Sequence, residues 1–448
     1  MQQCTPMDLS PLDQVAVRGW VVLYLFLPAV TDADEQVRQM QDGLDKLCKK
    51  IPVLAGELDA HSSRPGRLRV SLRPDRKTVP IWVRSNRDVE FEAVITSHDH
   101  QTNGSLFPDT YAHGVVENSF PLPTLIVQAI FLNGGCTLSV VVHHSVFDGI
   151  ACGTIVELLA ASCAGREDER TDSLMAGARS PRVSIDPMRM SVEDAEKRHG
   201  SLITAKQSVQ QPQQRKATSK FCRLPAGRLA TLESEVRAGF DQAVTSDRQS
   251  PQISRLDIVT AFIWQCVLRA RAPLLTAHEP CILDIACDGR ARMVPQMPAG
   301  YLGNCGLTAT LTIEDVAAIV SGSIQLAELA AMIRASYRNI DASLLHARMT
   351  LVEAERDLRP LLDGVPLPPN RLVVTSWTRI PPKPLDFGEG LGCTVHARSH
   401  LGYDTNGILK YQPFHAESGD LDFYLGLECE TWDRLENDPM WNRYIRQE

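Results

Sequence analysis

Three consecutive segments decide the fold: Thr137–Val142 (TLSVVV), His143–Gly149 (HHSVFDG) and Ile150–Ala164 (IACGTIVELLAASCA). The first is an uncharged, valine-rich run of the length and composition of a buried strand. The third places Ile155, Leu158, Leu159 and Ser162 on one side and stops at Gly165, which reads as a helix with a glycine stop. The histidines therefore stand where a strand gives way to a helix, the place where an α/β protein presents side chains to a crevice. One histidine there has a pKa near working pH and can take a proton. Asp148 is spaced to fix the loop by hydrogen bonding and charge pairing rather than to react. Read as structure alone, the same segment is two strand-end histidines and an N-capping aspartate.

Working outward, Thr124–Leu132 forms a hairpin with Thr137–Val142 through Asn133-Gly134-Gly135, whose residues tolerate positive φ. Residues 20–30 (WVVLYLFLPAV) suit a strand, and Asp34–Lys49 follows with Val37, Met40, Leu44 and Leu47 at helical spacing. Arg67–Leu72 alternates like a half-exposed strand. From Arg166 to about Lys220 large apolar residues are few and the texture is charged, then proline- and glutamine-rich, as in a long surface crossover. Beyond it, Ser254 and Asp257 resemble a capping box opening a helix over Ile258–Arg269. Strand-like runs recur at Ile282–Ala286, Gly306–Leu311, Leu372–Trp377 and Phe423–Leu427, with a helix-rich interval over Gln325–Arg356. The expected class is α/β in two domains: residues 1–165, a linker over 166–220, and residues 221–448.

Composition sets the bounds. The 448 residues are 44% hydrophobic and 22% charged, which excludes a disordered or collagen-like chain. A net charge of −8 argues against a general nucleic-acid binder, which needs a basic excess to release counterions. Twelve cysteines without a CxxC pair sit mostly in apolar runs, pointing to a reducing compartment and no structural zinc. No targeting segment is evident at the start, and the Val21–Val30 run is too short to span a bilayer. A cytoplasmic protein, with no membrane and no nucleic-acid partner, is expected.

The HHxxxDG segment has company along the chain: Leu9-Ser10-Pro11-Leu12-Asp13-Gln14, Pro52–Leu58 (PVLAGEL), Asp288-Gly289-Arg290-Ala291-Arg292, Tyr301-Leu302-Gly303-Asn304, Thr375-Ser376-Trp377 and Asp386–Gly390 (DFGEG). With these motifs the sequence resembles the BAHD acyl-CoA-dependent acyltransferases, in particular the fungal secondary-metabolite branch that includes the trichothecene acetyltransferases. Glu389 departs from that family's DFGWG block, which is structural and lies away from the chemistry. The resemblance implies two chloramphenicol-acetyltransferase-like domains, each a mixed β-sheet with flanking helices, joined by a long crossover. It implies His144 as the catalytic base in a channel between them. Asp148 would point away from substrate and pair with an arginine, for which Arg290 is the first choice, and Gly149 would leave room for the cofactor arm. Trp377 and Thr375 would line the reaction centre, Asp386 and Gly388 would belong to the structural block, and Ser254 and Asp257 are candidates to touch the pantetheine arm, although capping alone accounts for them. The co-substrate is acyl-CoA, acetyl-CoA first; the partner is a small-molecule hydroxyl acceptor; a monomer and no metal are expected.

The chemistry needs these parts. A hydroxyl is a poor nucleophile at pH 7, so a base must take its proton as it attacks the thioester. A fixed donor such as the Trp377 indole N–H can stabilise the oxyanion. The thiolate, from a thiol of pKa about 8.5, leaves with little acid help. N-acyl transfer, a lyase or cyclisation reaction on the same histidine, and a condensation-type module with carrier-bound substrates are the rivals; DFGEG and Thr375-Ser376-Trp377 argue against the last. Elsewhere, His98-Asp99-His100 reads as a polar loop rather than a metal pair, Gly303-Asn304 as a backbone turn, and Cys152 as core rather than nucleophile. Lys383 is a weak phosphate-binding candidate.

Overall fold

The computed structural model describes residues 5–29, 32–96, 120–182, 190–200, 215–243, 252–276, 279–359, 367–400, 405–413 and 418–445. His98, Asp99 and His100 lie outside them.

Two mixed sheets dominate. The first has the order His396–His400, Trp20–Pro28, Gly135–His143, Leu125–Asn133, Ile81–Glu90. Its pairs are antiparallel except the last, which is parallel. Uncharged runs such as Val21–Leu27 and Leu125–Leu132 are buried along their length, as central strands covered on both faces must be. The hairpin turns through Gly134 at φ +94°, a conformation that costs a residue without Cβ little. The helix Gly149–Ala164 ends at Gly165 in the left-handed region (φ 63°) and packs beside the helix Ala33–Lys50.

The second sheet runs Gly306–Ile313, Cys281–Asp288, Arg371–Ser376, Ile408–Tyr411, Leu421–Glu428, Ala217–Leu224. It carries the largely buried helix Arg255–Arg271 on one face, with Val259, Phe262, Ile263 and Val267 in its core. A small antiparallel sheet of Thr5–Asp8, Leu68–Leu72, Glu57–Ala60 and Leu122–Pro123 holds the segment ahead of Ser10. The crossover is partly ordered into helices Glu169–Ala178 and Val192–His199; Ala195 of the second packs against Ala347 and Leu351.

The sheets do not divide along the chain as simply as a split at 165 and 221 would have it. His396–His400 pairs with Trp20–Pro28 and completes the first sheet from far along the sequence. Trp377, Ile380, Leu385, Phe387 and Leu391 also belong to the first sheet's core. Each such side chain, fully buried, contributes on the order of 1.5–3 kcal/mol, so the first core depends on second-half residues. Among the described residues no helix is long and apolar enough to cross a membrane.

Candidate active site

The adjacent histidines are separated by the pleat of the strand. His143 is the last strand residue, fully buried, with its ring edge-on to Trp20 at 4.9 Å between centroids. Its Nδ1 accepts the Ser145 N–H at 3.2 Å. Burial, aided by the charges of Arg18 and His144, lowers its pKa to about 3, so it stays a neutral core imidazole. His144, one residue on, is half-buried at the start of the loop. Its backbone N–H donates to the Gly19 carbonyl at 2.8 Å. Its Nδ1 is buried without a hydrogen-bond partner, which leaves Nε2 as the ring nitrogen open to a second molecule.

Asp148 caps the helix that follows. Its Oδ1 accepts from the Ala151 N–H at 2.9 Å and from Arg290 Nη2 at 2.8 Å, and its Oδ2 accepts from the Cys305 N–H at 3.1 Å. Burial pushes this carboxyl up, but the Arg290 guanidinium and the hydrogen bonds more than offset it, so its pKa lies below the usual value. Arg290 donates further to the carbonyls of Tyr301 and Gly303 and from Nη1 to Asp288. Its own pKa is raised: burial works against the charge, and Asp148 and Asp288 outweigh it. With both oxygens accepting hydrogen bonds and the charge paired with Arg290, Asp148 is placed to fix the loop.

Asn304, expected only as part of a turn, fastens the loop a second time. Its Nδ2 donates to the His144 carbonyl and to Asp13 Oδ1, both at 2.8 Å. Asp13 is fully buried: Oδ1 also accepts the Asn304 N–H, and Oδ2 accepts the N–H and hydroxyl of Ser10. Arg182, from the crossover, donates to the Val146 carbonyl at 2.8 Å, lies 3.5 Å from Asp13 and covers the Phe147 ring. The motif segments around Asp13 and Asn304 were visible in the sequence; their meeting under His144 was not. Arg182 carried no signal, being one arginine in a polar stretch.

Trp377 closes the far end of the loop. Its backbone N–H donates to the Tyr411 carbonyl at 3.0 Å, and its indole is 5% exposed. A Cβ added at Gly149 would stand 3.1 Å from Cζ2 and 3.4 Å from Cε2 of that indole. The space beside Gly149 is thus filled by Trp377 itself, where the resemblance implied a cofactor arm. The Cζ2–Cε2 edge of the indole therefore borders Gly149 at the end of the HHSVFDG loop. Thr375 is half-buried two residues earlier, in register with Lys410.

The remaining candidates sit in supporting roles. Ser254 and Asp257 form a reciprocal capping box, and Asp257 is buried and ion-paired with Arg334. Asp386 pairs with Arg166 at 2.7 Å and its Oδ1 accepts the Gly388 N–H. Gly388, at φ +93°, packs against Ala164 at the end of the 149–164 helix, and Phe387 is fully buried. The DFGEG turn therefore braces the helix whose other end carries the site. Cys152 is buried, its thiol pushed up to about 12 by burial, so it is no ready nucleophile. Lys383 is exposed in a loop. Among the described residues no group of three or more His, Cys, Asp or Glu could hold a metal ion.

The chain is similar to known proteins along nearly its whole length. The family model described as "Transferase family" matches residues 1–440. Hydroxycinnamoyltransferase 2 of Oryza sativa subsp. japonica is 30% identical over 334 residues, covering 72% of this chain and 70% of its own. The O-acetyltransferase anaAT of Neosartorya fischeri is 24% identical over 473 residues, covering 91% of this chain and 90% of its own. Among solved structures, TRI101 of F. sporotrichioides, complexed with coenzyme A and T-2, superposes with a TM-score of 0.78 at 21% identity, covering 99% of both chains, and so shares the fold.

Proposed function

The chain belongs to the Transferase family, the BAHD acyltransferases, and from that membership we propose that it moves an acyl group, acetyl first, from coenzyme A to a hydroxyl of a bulky natural product. One observation carries the reading: His144 offers an open Nε2 from a loop clamped on every side by residues of both halves. A general base needs that combination of access and fixed position, since reacting atoms must be held about 3–3.5 Å apart. The relative named as an O-acetyltransferase, matched over most of this chain, supports the acyl group and the acceptor class.

The steps follow from the side chains. With its proton on Nδ1, the His144 imidazole takes the acceptor's hydroxyl proton at Nε2 as the oxygen attacks the thioester carbonyl. The Trp377 indole N–H donates to the oxyanion that forms. Collapse expels the coenzyme A thiolate, which takes up the proton held by His144. Asp148 and Asn304 act only by holding the His144 backbone. Direct transfer is supported by the lack of an activated nucleophile in the loop: Cys152 is a buried protonated thiol, and Ser145 is fully buried.

Incubation with a panel of acyl-CoAs and a metabolite extract, read by mass spectrometry, tests the reading. The expected result is the gain of one acyl group on one acceptor. No mass gain with any acyl-CoA would overturn it. Steady-state kinetics then separate the schemes. Intersecting double-reciprocal lines fit direct transfer, whereas parallel lines with a trapped acyl-protein refute it.

A further inference from the structure

The strand Ile408–Tyr411 carries a lysine at a core position. Lys410 is 5% exposed, between Leu409 at 0% and Tyr411 at 1%. The parallel register sets it beside Thr375, two residues ahead of Trp377, whose backbone is bonded to Tyr411. Its Nζ stands 4.4 Å from the centre of the Trp377 ring. The indole is therefore enclosed, with the lysine Nζ over its ring and Gly149 against its Cζ2–Cε2 edge. Burial draws the lysine's pKa down to about 7, with Cys152 pulling the other way.

Packing alone does not call for an ammonium here, because a methionine fills the same space without a charge to desolvate. A cation over an indole ring is attracted to its π electrons and draws electron density toward itself. The same polarisation leaves the ring N–H more positive and a stronger donor. We propose that Lys410 is a positioning residue for acyl transfer, fixing the Trp377 indole and strengthening its N–H toward the thioester oxyanion. This rests on Trp377 being the oxyanion donor, so the experiment separates the two claims.

Lys410→Met, Lys410→Arg, Trp377→Phe and the Lys410→Met/Trp377→Phe double variant of the full chain are compared with the parent. Release of free thiol from acetyl-CoA, with water as acceptor, is the assay. Thermal melting checks the fold first, and Lys410→Gln replaces the methionine variant if that one melts early. The expected result is a kcat about tenfold lower in Lys410→Met, with KM for acetyl-CoA within about twofold, the size of a desolvated cation–π contact. Lys410→Arg recovers most of the rate, and Lys410→Met adds nothing to Trp377→Phe. Parent-like kcat in Lys410→Met beside a slow Trp377→Phe overturns the role of Lys410 and leaves that of Trp377. A raised KM at unchanged kcat, or losses that multiply in the double variant, also overturns it. Parent-like kcat in Trp377→Phe removes the oxyanion reading, and this inference with it.

Discussion

Arg290 donates from Nη2 to Asp148 Oδ1 at 2.8 Å, across 142 residues of sequence. The loop bearing His144 is therefore not a local motif; it reaches its geometry only when the second sheet has docked. Both side chains are about nine-tenths buried, so neither charge is well solvated without the other. Breaking such a pair by removing one partner typically costs about 3–5 kcal/mol. Asp148→Asn keeps an oxygen for the Ala151 N–H but loses the charge, so it should fall at the lower end of that range. Chemical denaturation measures this, and a variant as stable as the parent would contradict the pairing's importance. The pH dependence has a definite sign. The folded pKa of Asp148 is depressed, so its contribution is present above the ordinary carboxylate range and is lost as pH falls through the folded value.

Replacing His144 separates chemistry from structure. Its ring nitrogen Nδ1 has no hydrogen-bond partner and the residue is half-buried, so His144→Ala should melt close to the parent. Turnover should fall by roughly 10²–10⁴, the usual contribution of a general base. A folded His144→Ala with near-normal turnover would remove the base assignment.

Asn304 should behave as a hinge pin. Asn304→Ala strips a donor from the buried Asp13 carboxylate and another from the His144 carbonyl. Each acceptor left short costs on the order of 1–3 kcal/mol, and the loop loses one of its clamps. Lower stability and lower kcat together are expected, and Asn304→Asp should be worse because it sets a second carboxylate against Asp13. Unchanged melting in Asn304→Ala is the outcome that would count against this.

His143 gives a prediction in pH rather than rate. Its folded pKa of about 3 lies below the unfolded value of about 6.5. The neutral ring's stability is thus fully present above about pH 6.5 and is lost as pH falls from there toward 3. One such group adds at most about 1.4 kcal/mol per pH unit. His143→Asn keeps an acceptor for the Ser145 N–H, so its acid-side stability slope should be shallower than the parent's. Equal slopes over pH 4–6 would show that another group carries the acid response.

Local signals were readable wherever neighbours in sequence decide the outcome. The Gly134 turn, the Gly165 stop and the Ser254–Asp257 capping box follow from backbone freedom and nearby hydrogen bonds. The family resemblance supplied Arg290 as the partner of Asp148. What stayed hidden depends on tertiary placement. His396–His400 (HARSH) has the polarity of a loop, and pairs as a strand only because Trp20–Pro28 offers its edge. A lysine reads as surface, yet Lys410 is core because Trp377 covers it. Asp13 and Asn304 could be seen as motif members, but a contact spanning 291 residues leaves no trace in local pattern.

The late arrival of His396–His400 bears on how the chain is made. During synthesis the first sheet's Trp20–Pro28 strand emerges early, with its outer edge unpaired and its apolar side chains ready to pair with another chain. Its cover is several hundred residues away, which a ribosome moving at about 5–20 residues per second takes tens of seconds to deliver. A nascent chain must shelter that edge in the meantime. Truncating the protein between its halves would leave a fragment with an open, sticky border in place of a free-standing module. Expression at lower temperature or with a holdase chaperone should therefore raise the yield of soluble enzyme more than changes to its surface would.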